Sequence, residues 1–212
     1  MTIRAVIFDM DGVLVDSEPF GFEALRRVMT RHGLPFSEEE NAEFLGRTTL
    51  DSCRILRERH GLTESAETLA EWYVEGMLEQ IGRGPIPMAG VPEVLERVRA
   101  SGYRMALASS AEVRVIEANL AALSLRPLFE AVVSGTQVAR GKPAPDVFLA
   151  AADRLGIVPE RCLVIEDSRN GLLAAKAAGM RCAVVPCDHT RHQDFSEADH
   201  RLAALPDLLA LL

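Results

Sequence analysis

Short apolar segments recur along the chain, and most of them end in polar residues. Ile3 to Phe8 is rich in β-branched and aromatic residues and carries one charge, which is typical of a strand buried in a parallel sheet. From about residue 87 onward, strand patterns alternate with helical patterns. The predicted strands there are 103–108, 131–133, 162–165 and 182–185, and the predicted helices are 91–100, 112–123, 145–155 and 170–178. This alternation predicts a parallel sheet with helices on both faces.

Residues 18–83 follow a different pattern, with helix signals and no strand signals. Ser37 and Glu40 have the spacing of a capping box, Thr48 can cap the next helix, and Gly61 lies where that helix should stop. Between 66 and 81 the apolar residues recur at the spacing of an amphipathic helix. We therefore predict an α/β fold with a Rossmann-like parallel sheet in three layers (α/β/α), formed by 1–16 and 84–212, and a small all-helical insert at 17–83.

Composition narrows the function classes. Hydrophobic residues make up 48% of the 212 residues, which is enough for a substantial core. A formal net charge of -8 argues against nucleic acid as a partner. Four cysteines do not form a disulfide framework in a chain of this size, and no apolar run approaches the length of a membrane span. Asp9 and Asp11 interrupt the first apolar run, so it does not resemble a signal peptide, and we expect a cytoplasmic protein without membrane partners.

Polar side chains follow four of the predicted strands, at the edge where open parallel sheets bind ligands. In chain order they are Asp9 and Asp11, Ser109 and Ser110, Lys142, and Glu166 and Asp167. Carboxylates are the ligands that Mg²⁺ prefers, a lysine can neutralise a phosphoryl oxygen, and a hydroxyl beside a helix N-terminus suits phosphate. The set predicts a site that holds Mg²⁺ and a phosphoryl group.

A bound cation is needed in such a site because a carboxylate and a phosphate repel each other. At about 4 Å and an effective dielectric near 20, each pair of unit charges repels by roughly 4 kcal/mol. With that repulsion neutralised, one aspartate can attack phosphorus, and another can protonate the leaving oxygen and later deprotonate water.

The motifs resemble those of the haloacid dehalogenase superfamily over nearly the whole chain. "DMDGVLVDSEP" is similar to its first motif, and "LASS", "GKPAPDVF" and "IEDSRNG" to its second, third and fourth. The resemblance implies that the helical insert is the small cap of the subfamily containing β-phosphoglucomutase and small-sugar phosphatases. It also implies that Asp9 is the nucleophile and Asp11 the general acid and base.

The resemblance implies the remaining site residues as well. Mg²⁺ would be bound by the side chains of Asp9 and Asp167 and the backbone carbonyl of Asp11, with Glu166 as a further ligand or a close neighbour. Ser109, Ser110 and Lys142 would bind the phosphoryl group. Gly46 and Arg47, in the cap loop "FLGRTTLD", would face the active site and help to select the substrate.

Less specific interpretations remain open for several of these residues. Asp9 and Asp11 can close a turn after the strand, and Ser109 can simply be a helix N-cap. Arg47 can be an ordinary exposed arginine. A zinc site in "CAVVPCDHTRH" is conceivable, from Cys182, Cys187, His189 and His192, but the spacing fits no usual site.

The sequence predicts a Mg²⁺-dependent phosphatase of small phosphorylated metabolites, such as sugar or polyol phosphates, that is a monomer or weak dimer. A β-phosphoglucomutase-type mutase is the alternative. It is weakened because Thr49 and 111–113 stand where the mutase's second phosphate site is expected. A phosphonatase would need a cap lysine, and a dehalogenase needs neither the second aspartate nor a metal. A phospho-accepting signalling domain and a catalytically inactive binding protein are the remaining possibilities.

Overall fold

The fold is described from a computed structural model covering residues 2–44 and 47–212. The strands are β1 (Ala5–Phe8), β2 (Arg104–Ser109), β3 (Ala131–Ser134), β4 (Cys162–Glu166), β5 (Arg181–Val184) and β6 (His200–Arg201). The α-helices are α1 (Glu18–Thr30), α2 (Glu38–Ala42), α3 (Thr49–His60), α4 (Ala66–Arg83), α5 (Val91–Ala100), α6 (Val113–Ala122), α7 (Asp146–Leu155) and α8 (Arg169–Ala177). Short 3-10 helices lie at Arg126–Leu128, Gly135–Gln137, Pro159–Arg161 and Leu205–Ala210.

The strands form one parallel sheet in the order β3-β2-β1-β4-β5-β6. All four residues of β1 are fully buried, since this strand pairs with β2 on one side and β4 on the other. The predicted α/β fold with a parallel sheet is therefore confirmed. The pattern analysis missed β6, a strand of two exposed residues at the sheet edge.

The two faces of the sheet carry separate hydrophobic clusters, as a three-layer architecture requires. Val6 and Phe8 of β1 pack on one face with the apolar residues of α5 and α6. Ala5 and Ile7 pack on the other face with those of α7 and α8. The helices bury one face each in this way, and none in the described part of the chain is long and apolar enough to cross a membrane.

Helices α1 to α4 fill the segment between β1 and the rest of the sheet. Helices α1, α3 and α4 share a third hydrophobic cluster, to which the flanking loops add residues and whose buried members all lie between Leu25 and Leu69. The prediction that Thr48 caps α3 is confirmed, since its side chain accepts a hydrogen bond from the Asp51 N–H, and α3 ends at the left-handed Gly61. The division into a core (1–16 and 84–212) and a cap (17–83) stays a prediction.

Candidate active site

Lys142 joins the ends of three neighbouring strands. Its side chain is only 5% exposed, and its Nζ donates to Asp9 Oδ1 after β1 (2.6 Å) and to Glu166 Oε1 in β4 (2.7 Å). A third bond runs to the carbonyl of Ala108 in β2 (3.2 Å). The lysine lies between β3 and α7, so residues distant in the chain meet at one sheet edge, as predicted.

The carboxylate of Glu166 is fully engaged. Its Oε2 accepts hydrogen bonds from the backbone N–H groups of Asp167 and Ser168 and from the Ser168 hydroxyl, each at 2.9 Å. Gly171 in α8 packs directly against this group, because a Cβ there would lie 1.7 Å from Glu166 Oε1. Glu166 is thereby fixed in position and in turn fixes Lys142.

Asp11 lies between two hydroxyls. Its Oδ1 accepts a hydrogen bond from Ser17 (2.5 Å), and its Oδ2 accepts one from Ser109 (3.3 Å). Burial raises the pKa of the Asp11 carboxyl above its ordinary value, and the bonds from the two serines oppose that shift. A carboxyl group with a raised pKa is suited to exchange protons near neutral pH.

Ser109 is fully buried, and its hydroxyl also accepts a hydrogen bond from the backbone N–H of Ala111 (3.0 Å). It is not a helix N-cap, because α6 begins at Val113 and is capped by Glu112. Its contact with Asp11 instead places it between the ends of β1 and β2. Ser110 follows it and lines the cavity described below.

Three carboxylates are close enough to hold one metal ion. One oxygen from each of Asp9, Glu166 and Asp167 lies within 4.8 Å of the others. Burial raises the pKa of Asp9 to about 8; Lys142 lowers it, whereas Glu166 and Asp11 raise it. Burial and the charges of Glu166 and Asp9 raise the pKa of Asp167 well above its ordinary value. A buried set of hard oxygen ligands with excess negative charge fits a divalent cation such as Mg²⁺.

The zinc alternative gains no support from the structure. Within residues 2–44 and 47–212, the Asp9, Glu166 and Asp167 group is the one set of side chains positioned to share a metal ion. Cys182 is buried in β5, and Cys187 contacts Asp167 instead of a histidine.

The strand ends open into a cavity of about 500 Å³. The helices α1 to α4 and their loops contribute part of its wall, including Tyr73, Thr49 and Arg47. Arg47 is exposed, and its Nε donates to the carbonyl of Glu43 (3.0 Å), so its role in selecting substrates stays a prediction. Gly46 lies outside the described residues.

Sequence reasoning missed four residues of this site. Ser17 stands inside the first motif, so its position next to Asp11 had a signal in the sequence. Gly171 lies in the fourth motif, but a glycine in a predicted helix did not indicate a close approach to Glu166. Glu18 lines the cavity, and burial raises the pKa of its carboxyl to about 7. Thr190, which contacts Asp167, had no signal in the sequence.

The first strand of this parallel sheet ends in two aspartates, which lie beside a buried lysine and a group of carboxylates that can hold a metal ion. This arrangement defines a hydrolase of the haloacid dehalogenase type. The comparison with family models agrees, since residues 6–185 match the model described as haloacid dehalogenase-like hydrolase. The chain belongs to this family.

Similar proteins include one named as a phosphatase of phosphorylated carbohydrates and one crystallised with a sugar bisphosphate. It is 37% identical over 220 residues to Protein CbbY of Rhodobacter capsulatus, covering 99% of this chain and 96% of that one. It is 38% identical over 178 residues to the phosphorylated carbohydrates phosphatase of Thermotoga maritima, covering 84% and 82%. A crystal structure of a mutant CbbY from Rhodobacter sphaeroides in complex with xylulose-(1,5)bisphosphate superimposes with a TM-score of 0.91, at 29% identity and 98% and 96% coverage.

Proposed function

We propose that this protein is a Mg²⁺-dependent phosphatase that hydrolyses small phosphorylated sugars or polyols through a phosphorylated Asp9. One observation carries the proposal: Lys142 bonds Asp9 and Glu166 at the edge of a cavity that Asp11 and Asp167 also line. The phosphorylated carbohydrates phosphatase and the CbbY proteins among the relatives support this substrate class.

In the first half-reaction, a carboxylate oxygen of Asp9 attacks the phosphorus of the substrate. The bond from Asp9 to phosphorus forms as the bond from phosphorus to the leaving oxygen breaks. Asp11, whose raised pKa favours its protonated form, donates a proton to that oxygen, so the product leaves as an alcohol. Lys142 and Ser109 hold the transferring group by charge and hydrogen bonding.

In the second half-reaction, a water molecule attacks the same phosphorus atom. Asp11 lost its proton in the first step and now takes one from this water, so one residue serves both steps. The bond from phosphorus to Asp9 breaks, and inorganic phosphate leaves. Ser17 holds the Asp11 carboxyl at the strand end throughout, whereas Ser109 donates its single hydroxyl hydrogen to Asp11 only when no phosphoryl group is bound.

The side chains of Asp9 and Asp167 and the backbone carbonyl of Asp11 would hold Mg²⁺, with Glu166 beside it. When bound, the cation supplies positive charge that reduces the repulsion between the Asp9 carboxylate and the anionic substrate. Burial raises the pKa values of Asp9 and Asp167, neighbouring carboxylates raise them further, and Lys142 opposes the rise without cancelling it.

The test is phosphate release from a panel of sugar, polyol and nucleotide phosphates. Activity should disappear with EDTA and return with Mg²⁺. Asp9→Asn should abolish turnover in a folded protein, because an amide is not an effective nucleophile. Full activity in this variant, with deamidation excluded by mass spectrometry, would disprove the mechanism. Failure to hydrolyse any phosphate ester with Mg²⁺ would favour a phospho-accepting or binding protein.

The mutase alternative depends on a second phosphate site. In the described part of the chain, the lysine and arginine side chains lining the cavity are Lys142 and Arg47. Arg114 follows the second motif, but both its terminal nitrogens donate to Glu71, at 2.9 and 2.6 Å, and its Nε donates to Glu112. A second phosphate would therefore rely on Arg47, which supports hydrolysis of monophosphates as the main activity.

One experiment separates these activities. The protein is incubated with β-glucose 1-phosphate, with and without glucose 1,6-bisphosphate, while glucose 6-phosphate and free phosphate are both measured. We expect free phosphate, independent of the bisphosphate. Rapid, bisphosphate-dependent formation of glucose 6-phosphate would establish the mutase instead. Xylulose 1,5-bisphosphate belongs in the panel because a CbbY structure contains it.

A further inference from the structure

The segment that follows β5 returns to the strand end occupied by Asp167. The backbone N–H of Val185 donates to the carbonyl of Glu166 (2.7 Å), which continues the pairing of β5 with β4 beyond the last strand residue. The chain then turns, and Thr190 is 94% buried beside the Asp167 carboxylate.

Two side chains of this turn contact one oxygen of Asp167. The Thr190 hydroxyl lies 3.3 Å from Asp167 Oδ2, and the Cys187 Sγ lies 3.3 Å from the same atom. The Thr190 oxygen also accepts a hydrogen bond from the backbone N–H of Cys187 (3.1 Å). That bond uses a lone pair, so the single hydroxyl hydrogen can be donated to Asp167, and the Cys187 Sγ lies 3.4 Å from the same hydroxyl.

The backbone of Gly12 also approaches this oxygen closely. A Cβ at Gly12 would lie 2.3 Å from Asp167 Oδ2, and Gly12 has a φ of +76°, so this position favours glycine for two reasons. The Oδ2 atom is thus approached both by Gly12 and by the turn at 187–190. This leaves the other oxygen of Asp167 to serve as a ligand.

We infer that Thr190 and Cys187 are positioning residues that orient the Asp167 carboxylate for the metal ion of the proposed phosphatase. The inference rests on the proposed function, in which Asp167 is a metal ligand. Outer partners of metal-ligating carboxylates fix ligand orientation, and their loss typically weakens metal affinity by about 10- to 100-fold. Thr190 lies outside the four motifs, and the sequence indicated Cys187 only as a conceivable zinc ligand.

The test measures metal affinity directly, with Mn²⁺ as the probe and electron paramagnetic resonance as the readout on the full chain. Thr190→Val keeps the shape of the side chain and removes the hydroxyl, whereas Thr190→Ser keeps the hydroxyl. We expect Thr190→Val to raise the Kd for Mn²⁺ about 10-fold or more, and Thr190→Ser to restore it to near the wild-type value. The Mg²⁺ concentration for half-maximal turnover should rise in parallel, with a smaller change in kcat at saturating Mg²⁺.

A purely structural role for Thr190 makes a different prediction. It would lower the Tm of the metal-free protein and leave the Kd for Mn²⁺ unchanged, and that result would overturn the inference. If Thr190→Val does not fold, the same Mn²⁺ measurement is made on Cys187→Ala and Cys187→Ser. Weaker Mn²⁺ binding in the alanine variant alone supports the inference, and wild-type Mn²⁺ binding in both variants refutes it.

Asp167→Asn separates this inference from the proposed function. If Asp167→Asn binds Mn²⁺ as tightly as wild type, the proposed metal site is wrong. If it binds weakly while Thr190→Val binds normally, the metal site stands and the positioning role fails.

Discussion

Replacing Lys142 by methionine removes the charge that joins Asp9 and Glu166 and keeps a side chain of similar length. The Nζ of this lysine lies 2.6 Å from Asp9 and 2.7 Å from Glu166, and all three side chains are at least nine-tenths buried. The substitution therefore leaves two carboxylates facing each other with no ammonium between them.

The magnitude follows from the geometry. At 2.6 Å and an effective dielectric near 20, one such pair attracts by roughly 6 kcal/mol. Desolvation of the ammonium offsets much of this, so breaking a buried pair costs about 3–5 kcal/mol in net stability. For a chain of 212 residues, this lowers Tm by roughly 10 °C.

The chain provides a matched control, because Lys142 and Lys176 are its only lysines. The Nζ of Lys176 lies 2.9 Å from Asp199, but the two side chains are 34% and 28% exposed. A pair of this kind contributes about 0–1 kcal/mol, so Lys176→Met should lower Tm by at most about 4 °C. The assay is thermal unfolding of the metal-free variants, with phosphate release measured in parallel.

The effect of Lys142→Met should depend on pH. Without the ammonium, which lowers the pKa of Asp9, the pKa of that carboxyl rises further. A raised carboxyl pKa contributes stability that is present at low pH and lost as pH rises through the folded-state pKa. We therefore expect a larger loss at pH 8 than at pH 5, and a fall in turnover by about 10²–10³. Equal Tm losses in the two lysine variants would refute the assignment of Lys142 as the central charge of the site.

Three further predictions concern single positions. Gly171→Ala should displace the Glu166 carboxylate, since a Cβ would lie 1.7 Å from Oε1, and should lower turnover and Tm together; wild-type values for both would contradict the close approach. Glu18→Gln should raise Tm at pH 8, because it removes a carboxylate whose pKa burial raises to about 7. The gain in stability should be no more than about 3 kcal/mol and should fade by pH 5. A gain that does not depend on pH would contradict burial of a charged Glu18. Arg47→Ala should change the ranking among sugar phosphates more than turnover of p-nitrophenyl phosphate, and equal losses on both would exclude a role in selectivity.

The sequence predicted the strand ends well because the signals there are local. An apolar run followed by two carboxylates identified Asp9 and Asp11, and the scarcity of lysine drew attention to Lys142. The helix α5 was predicted at its observed bounds because Gly90 and Ser101 flank a regular apolar pattern. The parallel direction of the sheet follows from the same alternation of elements, whereas the strand order was not predicted.

Contacts made by a loop that returns to the sheet edge were beyond sequence reasoning. Thr190 meets Asp167 only because β5 pairs with β4 and returns the chain to that point, and no local pattern encodes this contact. The interpretation of Ser109 as an N-cap was wrong for a related reason. Glu112 competes for the helix terminus, and the buried serine bonds Asp11 across the strand ends instead.

The central position of β1 has a consequence for synthesis of the chain on the ribosome. Ala5 in β1 pairs with Arg104 in β2 and with Cys162 in β4. Roughly 100 further residues must therefore be synthesised before β2 can pair with β1, and roughly 160 before β4 can. At about 5–20 residues per second, β4 is synthesised about 8–30 s after β1. The helices between residues 18 and 83, which have a hydrophobic cluster of their own, are synthesised during this interval. The apolar β1 lacks its sheet neighbours during this time, and Asp9 after it meets Lys142 only once 142 residues, including three of the six strands, have been made.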